Sequence, residues 1–471
     1  MLPGSSGERG AWRALYWLTL AGLVCAIKSA HVMESDEGLV LEGAWNLLHG
    51  RELYVDSFQI ITPGAFYAVY WAWKLFGAHY AAAQALGMAA ILLAAVAIYR
   101  TGLLVAEKSA WSYVGPALYV LASATWPAIN HNSFNAALLA WALFYAMRSV
   151  QLRSTADAGA SGVFTGLAIL VLQHKGGAMF VAVAGALAWF SIAGKDVGSR
   201  RALLAYALAA LLPLMVLLHW PVTVLFESLA EYPLLRYRNV NAAPVVPMVI
   251  AACYLALAWR LANRSSREVR LLFVVQAVLI ATTGQRTDLA HTFIVSFPLL
   301  GLIPGMRPGC LRLAEASTAV RYVYAGAAIA FVTYVAAFAA SNTLLAWRLA
   351  GLGGRVIAYV RDRCDSLYAG PFLPGLYYET RKLNPTSYPY LLTGFNGRGQ
   401  FDEARTQLAR AMPQCVVLNY GMASRFGYDR ANAVDRFIDA RYAPVLSEAG
   451  VTVYVPRGTP GAVVAERAGE E

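Results

Sequence analysis

The sequence predicts an α-helical polytopic membrane protein that ends in a small α/β domain, and three observations carry that expectation. Hydrophobic residues make up 58% of the 471 residues and charged residues only 14%, where soluble domains carry roughly a quarter charged. Apolar runs of about 20 residues, the length that crosses the hydrocarbon core, recur from Trp12 to Trp347. After Gly354 they give way to a mixed, charged sequence. The expected division is a transmembrane domain over 1–353, a soluble extracytoplasmic α/β domain over 354–456 and a disordered tail over 457–471, "RGTPGAVVAERAGEE".

The net charge of +11 does not point to nucleic acid, because Lys and Arg sit mostly in short loops between apolar runs, as the positive-inside rule expects. Cys25 and Cys253 fall inside apolar runs and read as small core residues. Cys364 and Cys415 lie in the soluble tail and could pair if that tail occupies an oxidising compartment. No Cys/His metal spacing appears.

The first run, about 12–30, follows Arg9 and Arg13 and reads as an uncleaved first helix. Further spans are expected near 61–77, 82–106, 111–127, 133–149, 160–174, 177–193, 202–220, 244–262, 269–285, 290–306 and 320–346. Three loops are basic and should be cytoplasmic: Lys195, Arg200 and Arg201; Arg260, Arg264, Arg267 and Arg270; Arg307, Arg312 and Arg321. With a cytoplasmic N-terminus, strict alternation puts them on the wrong side, so one span before residue 194 is over-counted. Either 160–193, interrupted by "QHKGG", is a single broken traverse, or two runs between 82 and 127 form a re-entrant pair, which Arg148 and Arg153 favour. The correction leaves about eleven spans. Loops 32–60, 221–243 and 284–291 and the tail then face the non-cytoplasmic side.

The first of these loops carries Glu34, Asp36, Glu37, Glu42, Glu52 and Asp56 against a single base, Arg51. Ser35 or Asp36 can cap a helix running to His49, with Gly50 stopping it, and that helix would lie along the membrane surface. Pro63 suits the first turn of the second span. Taken alone, Asp36 is a capping residue and Glu37 a favourable first-turn charge.

The order of features adds a second reading. The stretch "SDEGLVLEGAWNLLHGRELYVDSFQIITPGAFYAVYWAWKLFG" resembles the first external loop and second helix of the GT-C glycosyltransferases, especially bacterial relatives of protein O-mannosyltransferases and of the lipid A aminoarabinose transferase. In that family an acidic pair, a surface helix ending in Gly, a Tyr-x-Asp and a Pro-led aromatic helix follow in this order. The resemblance implies a GT-C-like fold with about 11–13 transmembrane helices, a polyprenyl-phosphate sugar donor and Asp36 as the catalytic carboxylate. The sequence departs at one point: several relatives have a Lys before the proline, where this chain has Gln59, Ile60, Ile61 and Thr62.

Such chemistry needs one carboxylate and several cations. A glycosidase uses two carboxyl groups because its leaving alkoxide must be protonated, whereas a phosphate leaves as an anion. One base near the acceptor hydroxyl therefore suffices, with fixed positive charge around the departing phosphate. "EYPLLRYRNVN" offers Arg236, Tyr237 and Arg238; "GQRTDLAH" offers Arg286, with Asp288 and His291 spaced to share a helical face. The family resemblance extends to this Arg-x-Asp-x-x-His stretch. Each Arg could instead snorkel to headgroups, and His291 could simply end a helix. Lys28 and Lys175 are costly at membrane depth and hence functional candidates, although Lys28 could snorkel and Lys175 could mark a cytoplasmic turn. Asp56 could assist the base or pair with Arg51. Asp36, Glu37 and Asp56 could hold a divalent cation; no other cofactor is indicated.

In the tail, "RVIAYV", "CVVLNY" and "VTVYVP" read as strands, with helices near 402–412 and 432–442. The Tyr- and Pro-rich "LYAGPFLPGLYYETRKLNPTSYPYLL" resembles the extracytoplasmic domain that ends many bacterial members, and its aromatics could stack on sugars or fill a core. The leading expectation is an inner-membrane glycosyltransferase acting on a lipid, glycan or protein hydroxyl at the periplasmic face. The competing class, a transporter or flippase of an anionic lipid-linked sugar, calls for charges at the bilayer midplane and pseudo-symmetric halves, and no internal repeat is visible.

Overall fold

The computed structural model describes residues 6–28, 32, 36–106, 110–193, 196–235, 266–285, 289–306, 333, 337, 340, 354–424 and 426–459. In chain order the helices are α1 (Ser6–Ile27), α2 (Asp36–Leu48), α3 (Gly64–Phe76), α4 (Tyr80–Val105), α5 (Val114–Ala122), α6 (His131–Leu152), α7 (Thr155–Val171), α8 (Gln173–Ala193), α9 (Val197–Leu214), α10 (Arg267–Ala281), α11 (Leu289–Ile294), α12 (Phe297–Leu302), α13 (Gly354–Arg363), α14 (Gly375–Thr380), α15 (Arg398–Ala411) and α16 (Ala433–Arg441), with short helical turns between some of them. Gly10–Ile27, Tyr80–Val105, Gln173–Ala193 and Val197–His219 are long and apolar enough to cross a membrane. The expected spans 244–262 and 320–346, and Cys253, lie outside the described residues. The chain divides into two compact units. One comprises Met1–Ser29, Gln84–Leu217 and Ala243–Ala346, the other Ala30–Ala83, Leu218–Ala242 and Trp347–Glu471.

The first unit is a helical bundle whose starts are set by polar caps. Asn130 accepts from the Asn132 amide (2.7 Å), Ser154 from Asp157 (3.1 Å) and Asp196 from Gly198 (2.9 Å), placing α6, α7 and α9. Close approaches give the helix directions. Asn135 Nδ2 donates to the Ala168 carbonyl (2.7 Å) and Ser161 Oγ to that of Ala142 (2.8 Å), so α6 and α7 are antiparallel. Gly162 packs on Tyr206 and Gly166 on Ala210, so α7 and α9 are parallel. The helix between them must return, and 155–193 crosses twice; the single broken traverse is ruled out.

At the other flank, Tyr16 Oη, midway along α1, donates to the Tyr113 carbonyl (2.6 Å), and Lys28 Nζ, just past the end of α1, to the Trp126 carbonyl (2.7 Å). The segment 113–126 therefore runs parallel to the second half of α1. Helix α4 runs opposite, with Tyr99 against Tyr113 (ring centroids 5.1 Å) and Gly87 against Ala128. The two runs are therefore antiparallel, as two spans or a re-entrant pair would both be. Lys28, Gly87 and Trp126 thus share one end of the unit, and the chain leaves α1 and enters α4 at that end. Between them, the 13 residues of α3 span about 20 Å, too short for a hydrocarbon core of about 30 Å. The expected span 61–77 is thus a short helix in this structure. Cys25, expected in the core, lies on an exposed face of α1.

The two ends of this bundle differ in charge. One carries Arg148 paired with Asp157 (3.5 Å), Arg267 with Asp196 (3.2 Å), Arg200 and Arg201, and Arg13 and Arg100 beside Tyr99. The other carries Lys28, Asn130, His131, Asn132 and Lys175.

The second unit holds a four-stranded sheet in the order β1 (Leu367–Gly370), β2 (Cys415–Leu418), β4 (Val451–Pro456), β3 (Tyr442–Glu448), with β1 parallel to β2 and β4 antiparallel to both neighbours. Alternation along β2 sends Cys415 and Val417 to one face, against Val356, Val360 and Leu376, and Val416 and Leu418 to the other, against Phe401, Leu408 and Ile438. "RVIAYV", expected as a strand, is helical: Val356 and Val360, one helical turn apart, are the residues that α13 buries. The edge strand is instead "LYAG". Cys364 and Cys415 are disulfide-bonded, tying the end of α13 to β2.

Helix α2 belongs to this unit and is covered by it, since Glu37 through Asn46 are all buried. It ends as expected: Gly50 is left-handed (φ +76), its amide bonds to the Leu47 carbonyl, and the Arg51 amide bonds to that of Asn46 (3.0 Å). Helix α3 exposes Trp71, Leu75 and Phe76.

Candidate functional site

Two groups of polar residues stand out, one in each unit. In the bundle unit, Lys175 follows the break between α7 and α8, where Gly176 packs directly on the Ile169 backbone, leaving no room for a side chain. That approach folds α8 back on α7 and buries Lys175 to 2% exposure. Its ammonium donates to Asn132 Oδ1 at 2.6 Å, and Asn132 Nδ2 meets His131 Nε2 at 3.0 Å. His174 lies within electrostatic reach of Lys175, His131 and His291. Lys175 and His291, far apart in sequence, are therefore brought together, and His131, Asn132 and His174 join them. The local signals were "NHN" at the start of an apolar helix and the His of "QHKGG"; neither showed that the two meet. Lys28 does not snorkel: it is buried, donates to the Ser123 and Trp126 carbonyls and lies over the Trp126 ring (5.6 Å). It closes the helical turn that precedes α6.

In the second unit, Asp36 and Glu37 form the first turn of α2. Asp36 is half-buried, and Glu37 is fully buried and accepts from Tyr80 Oη at 3.2 Å. Tyr80 is also within electrostatic reach of Glu379, which follows Tyr378 on α14. Burial pushes the Glu379 carboxyl up to about 7 against the opposing pull of Arg361. Around them Trp73 stacks on Tyr378 (4.8 Å), and the Arg381 guanidinium covers Tyr378 (4.5 Å) and Trp45 (5.1 Å). One turn further along α2, Glu42 is buried and its carboxyl pushed up to about 7 by desolvation, opposed by hydrogen bonds from Asn46 and Asn384 and by the Arg51 charge.

Asp56 neither joins this group nor pairs with Arg51. Its Oδ2 accepts from the Glu52 amide (2.8 Å) in the turn 52–56, while Arg51 donates to the Asn384 carbonyl (2.7 Å). Arg236, Tyr237, Arg238, Arg286 and Asp288 lie outside the described residues. Among the described residues no three His, Cys, Asp or Glu side chains, Asp36, Glu37 and Asp56 included, gather closely enough to hold a metal.

No family model matches the sequence, and no curated protein does. Solved structures do match in fold. ArnT from Cupriavidus metallidurans in the apo state superposes with a TM-score of 0.64 at 13% identity, over 95% of this chain and 98% of that one. The same protein bound to undecaprenyl phosphate gives 0.62 at 15% identity, over the same shares. An Archaeoglobus fulgidus oligosaccharyltransferase in complex with Zn and sulfate gives 0.54 at 12% identity, over 94% of this chain and 73% of that one. The chain thus shares the overall fold of these structures: a mostly helical protein, with four helices among the described residues long and apolar enough to cross a membrane, that ends in a small four-stranded sheet domain.

Proposed function

We propose that this protein is a membrane glycosyltransferase that moves a sugar from a polyprenyl-phosphate carrier to a hydroxyl of a lipid, glycan or protein at the periplasmic face of the bacterial inner membrane. The observation that carries the reading is the polar end of the bundle unit, where Lys175 is buried beside His131, His174 and His291. A buried ammonium with imidazoles around it is costly in a bilayer protein unless it serves an anion. The fold is that of a protein solved with undecaprenyl phosphate. The opposite end, rich in arginine, is the cytoplasmic one by the positive-inside rule, which makes the lysine end periplasmic. The C-terminal domain is read as periplasmic too, in keeping with its disulfide.

In this reading Asp36 accepts the proton of the acceptor hydroxyl as the oxygen attacks the anomeric carbon. The glycosyl–phosphate bond breaks, and the phosphate leaves as an anion. Lys175, with His131, His174 and His291, stabilises the charge that develops on the phosphate; Arg236, Tyr237, Arg238, Arg286 and Asp288 remain candidates for the same task. Glu37, held by Tyr80, is a positioning residue for the turn that presents Asp36. Helix α3, with Trp71, Leu75 and Phe76 exposed, lies in the plane of the interface.

Mass analysis of glycolipids and glycans from a deletion strain tests the proposal. A missing sugar at the cell envelope, restored by the wild-type gene and not by Asp36→Asn, is the expected result. An unchanged profile, or one in which the unmodified acceptor and donor accumulate on the cytoplasmic side, favours the flippase reading.

A further inference from the structure

We propose that Asn132 is the positioning residue of the polar end of the bundle unit: its amide fixes both the place of the Lys175 ammonium and the tautomer of the His131 imidazole. In the transferase reading, on which this rests, Asn132 acts through these two neighbours and not on the phosphate itself. All three residues belong to the bundle unit.

The start of α6 holds Asn132 on every side. Asn130, the cap of that helix, accepts with its side-chain oxygen from the Asn132 backbone amide (2.7 Å) and from Asn132 Nδ2 (3.1 Å). Nδ2 also meets His131 Nε2 at 3.0 Å, and Oδ1 receives the Lys175 ammonium at 2.6 Å. The side chain is buried. Size alone does not tell the oxygen of an amide from its nitrogen, but an ammonium has no lone pair and decides between the two orientations. With the oxygen on Lys175, the two hydrogens of Nδ2 go to Asn130 Oδ1 and to His131 Nε2. A ring nitrogen that accepts carries no proton, so His131 is neutral and holds its proton on Nδ1. One amide therefore sets two groups at once.

A lysine needs such a hold. Its ammonium is a compact charge on a flexible four-carbon stem, and an electrostatic donor helps a transition state only where it stands in place before the charge develops. The foot of the stem is fixed where Gly176 packs on the Ile169 backbone, and its head by Asn132. An amide does this without offsetting the charge. A carboxylate at position 132 would also accept from Lys175, but it would oppose the ammonium, offer no N–H to His131 and turn an oxygen against Asn130 Oδ1. The phosphate gains a negative charge as the glycosyl bond breaks, so a displaced or offset ammonium costs turnover more than donor affinity.

The test uses the full-length protein in detergent, with size-exclusion profile and unfolding midpoint as controls for folding. Polyprenyl phosphate without a sugar is the binding probe, and transfer is read as kcat and KM separately. Asn132→Leu, close in size and without polar atoms, should weaken binding of the probe about 10-fold in the wild-type background and less than about threefold in Lys175→Met, where there is no ammonium to place. Asn132→Asp keeps an acceptor for Lys175 and makes the test decisive where Asn132→Leu does not fold: kcat should fall about 10-fold or more, with KM for the donor moved less. Equal losses in the two backgrounds, wild-type binding in folded Asn132→Leu, or wild-type turnover in folded Asn132→Asp overturns the assignment of Asn132 and leaves the transferase reading standing. Binding of the probe by Lys175→Met as tight as by wild type overturns the phosphate role of Lys175, and this assignment with it.

Discussion

The parallel packing of α7 and α9 underlies the topology, and two glycines on one helix test it. A Cβ on Gly166 would lie 2.3 Å from the Ala210 carbonyl oxygen and 3.0 Å from Pro213 Cδ, both on α9, whereas a Cβ on Gly159 would meet nothing within 4 Å. Real Cβ contacts stay above about 3.0 Å, so Gly166→Ala must part the two helices by about 0.7 Å against a close-packed interior. Overpacking of this kind costs about 1–3 kcal/mol, while replacing Gly by Ala in a helix otherwise gains up to about 1 kcal/mol. Both variants receive the gain and only Gly166→Ala bears the cost, so the two should differ by about 1–3 kcal/mol, with Gly166→Ala the less stable. Thermal unfolding in detergent, with intact size-exclusion profiles as a control, reads the difference. Equal stability of the two variants would mean that α7 and α9 do not touch there, and the argument that 155–193 crosses twice would lose its support.

Other consequences can be checked with the same preparation. Lys175→Met should lower transfer on the order of 100-fold, the size expected for one lost electrostatic donor, while leaving the melting midpoint unchanged or higher, because a buried charge is removed. The carboxyl of Glu379 is raised by burial to about 7. Its neutral form therefore contributes stability that is complete below the unfolded value of 4.5 and is lost as pH rises through about 7; Glu379→Gln should flatten the midpoint-versus-pH curve across that window. The Cys364–Cys415 bridge spans 51 residues, and reduction should cost up to about 4 kcal/mol by the loop-entropy relation, seen as a lower unfolding midpoint under reductant.

Much of the architecture was legible because its signals are local. Apolar runs locate most bundle helices, Gly50 ends α2 through its positive φ, and the alternation of "VTVYVP" marks β4. What failed depended on partners distant in sequence. The run 61–77 is as apolar as a span, and only the meeting of Lys28, Gly87 and Trp126 at one end shows that the chain need not cross there. "RVIAYV" carries β-branched residues that suit a strand, yet Val356 and Val360 pack as one helical stripe. The site divides in the same way. Asp36 and Glu37 announce themselves by order within one loop, whereas the company of Lys175 comes from His131, on a helix two elements earlier, and from His291. Glu379 is separated from Glu37 by more than three hundred residues, and no pattern near either links them.

Transfer by purified Asp36→Asn protein, with a polyprenyl-phosphate sugar as donor and the hydroxyl acceptor that the deletion strain identifies, tests the assignment of the base most directly. The substitution keeps the size of the side chain and removes its capacity to take a proton. The account predicts that turnover falls at least 100-fold while the donor still binds. Turnover equal to wild type would contradict it.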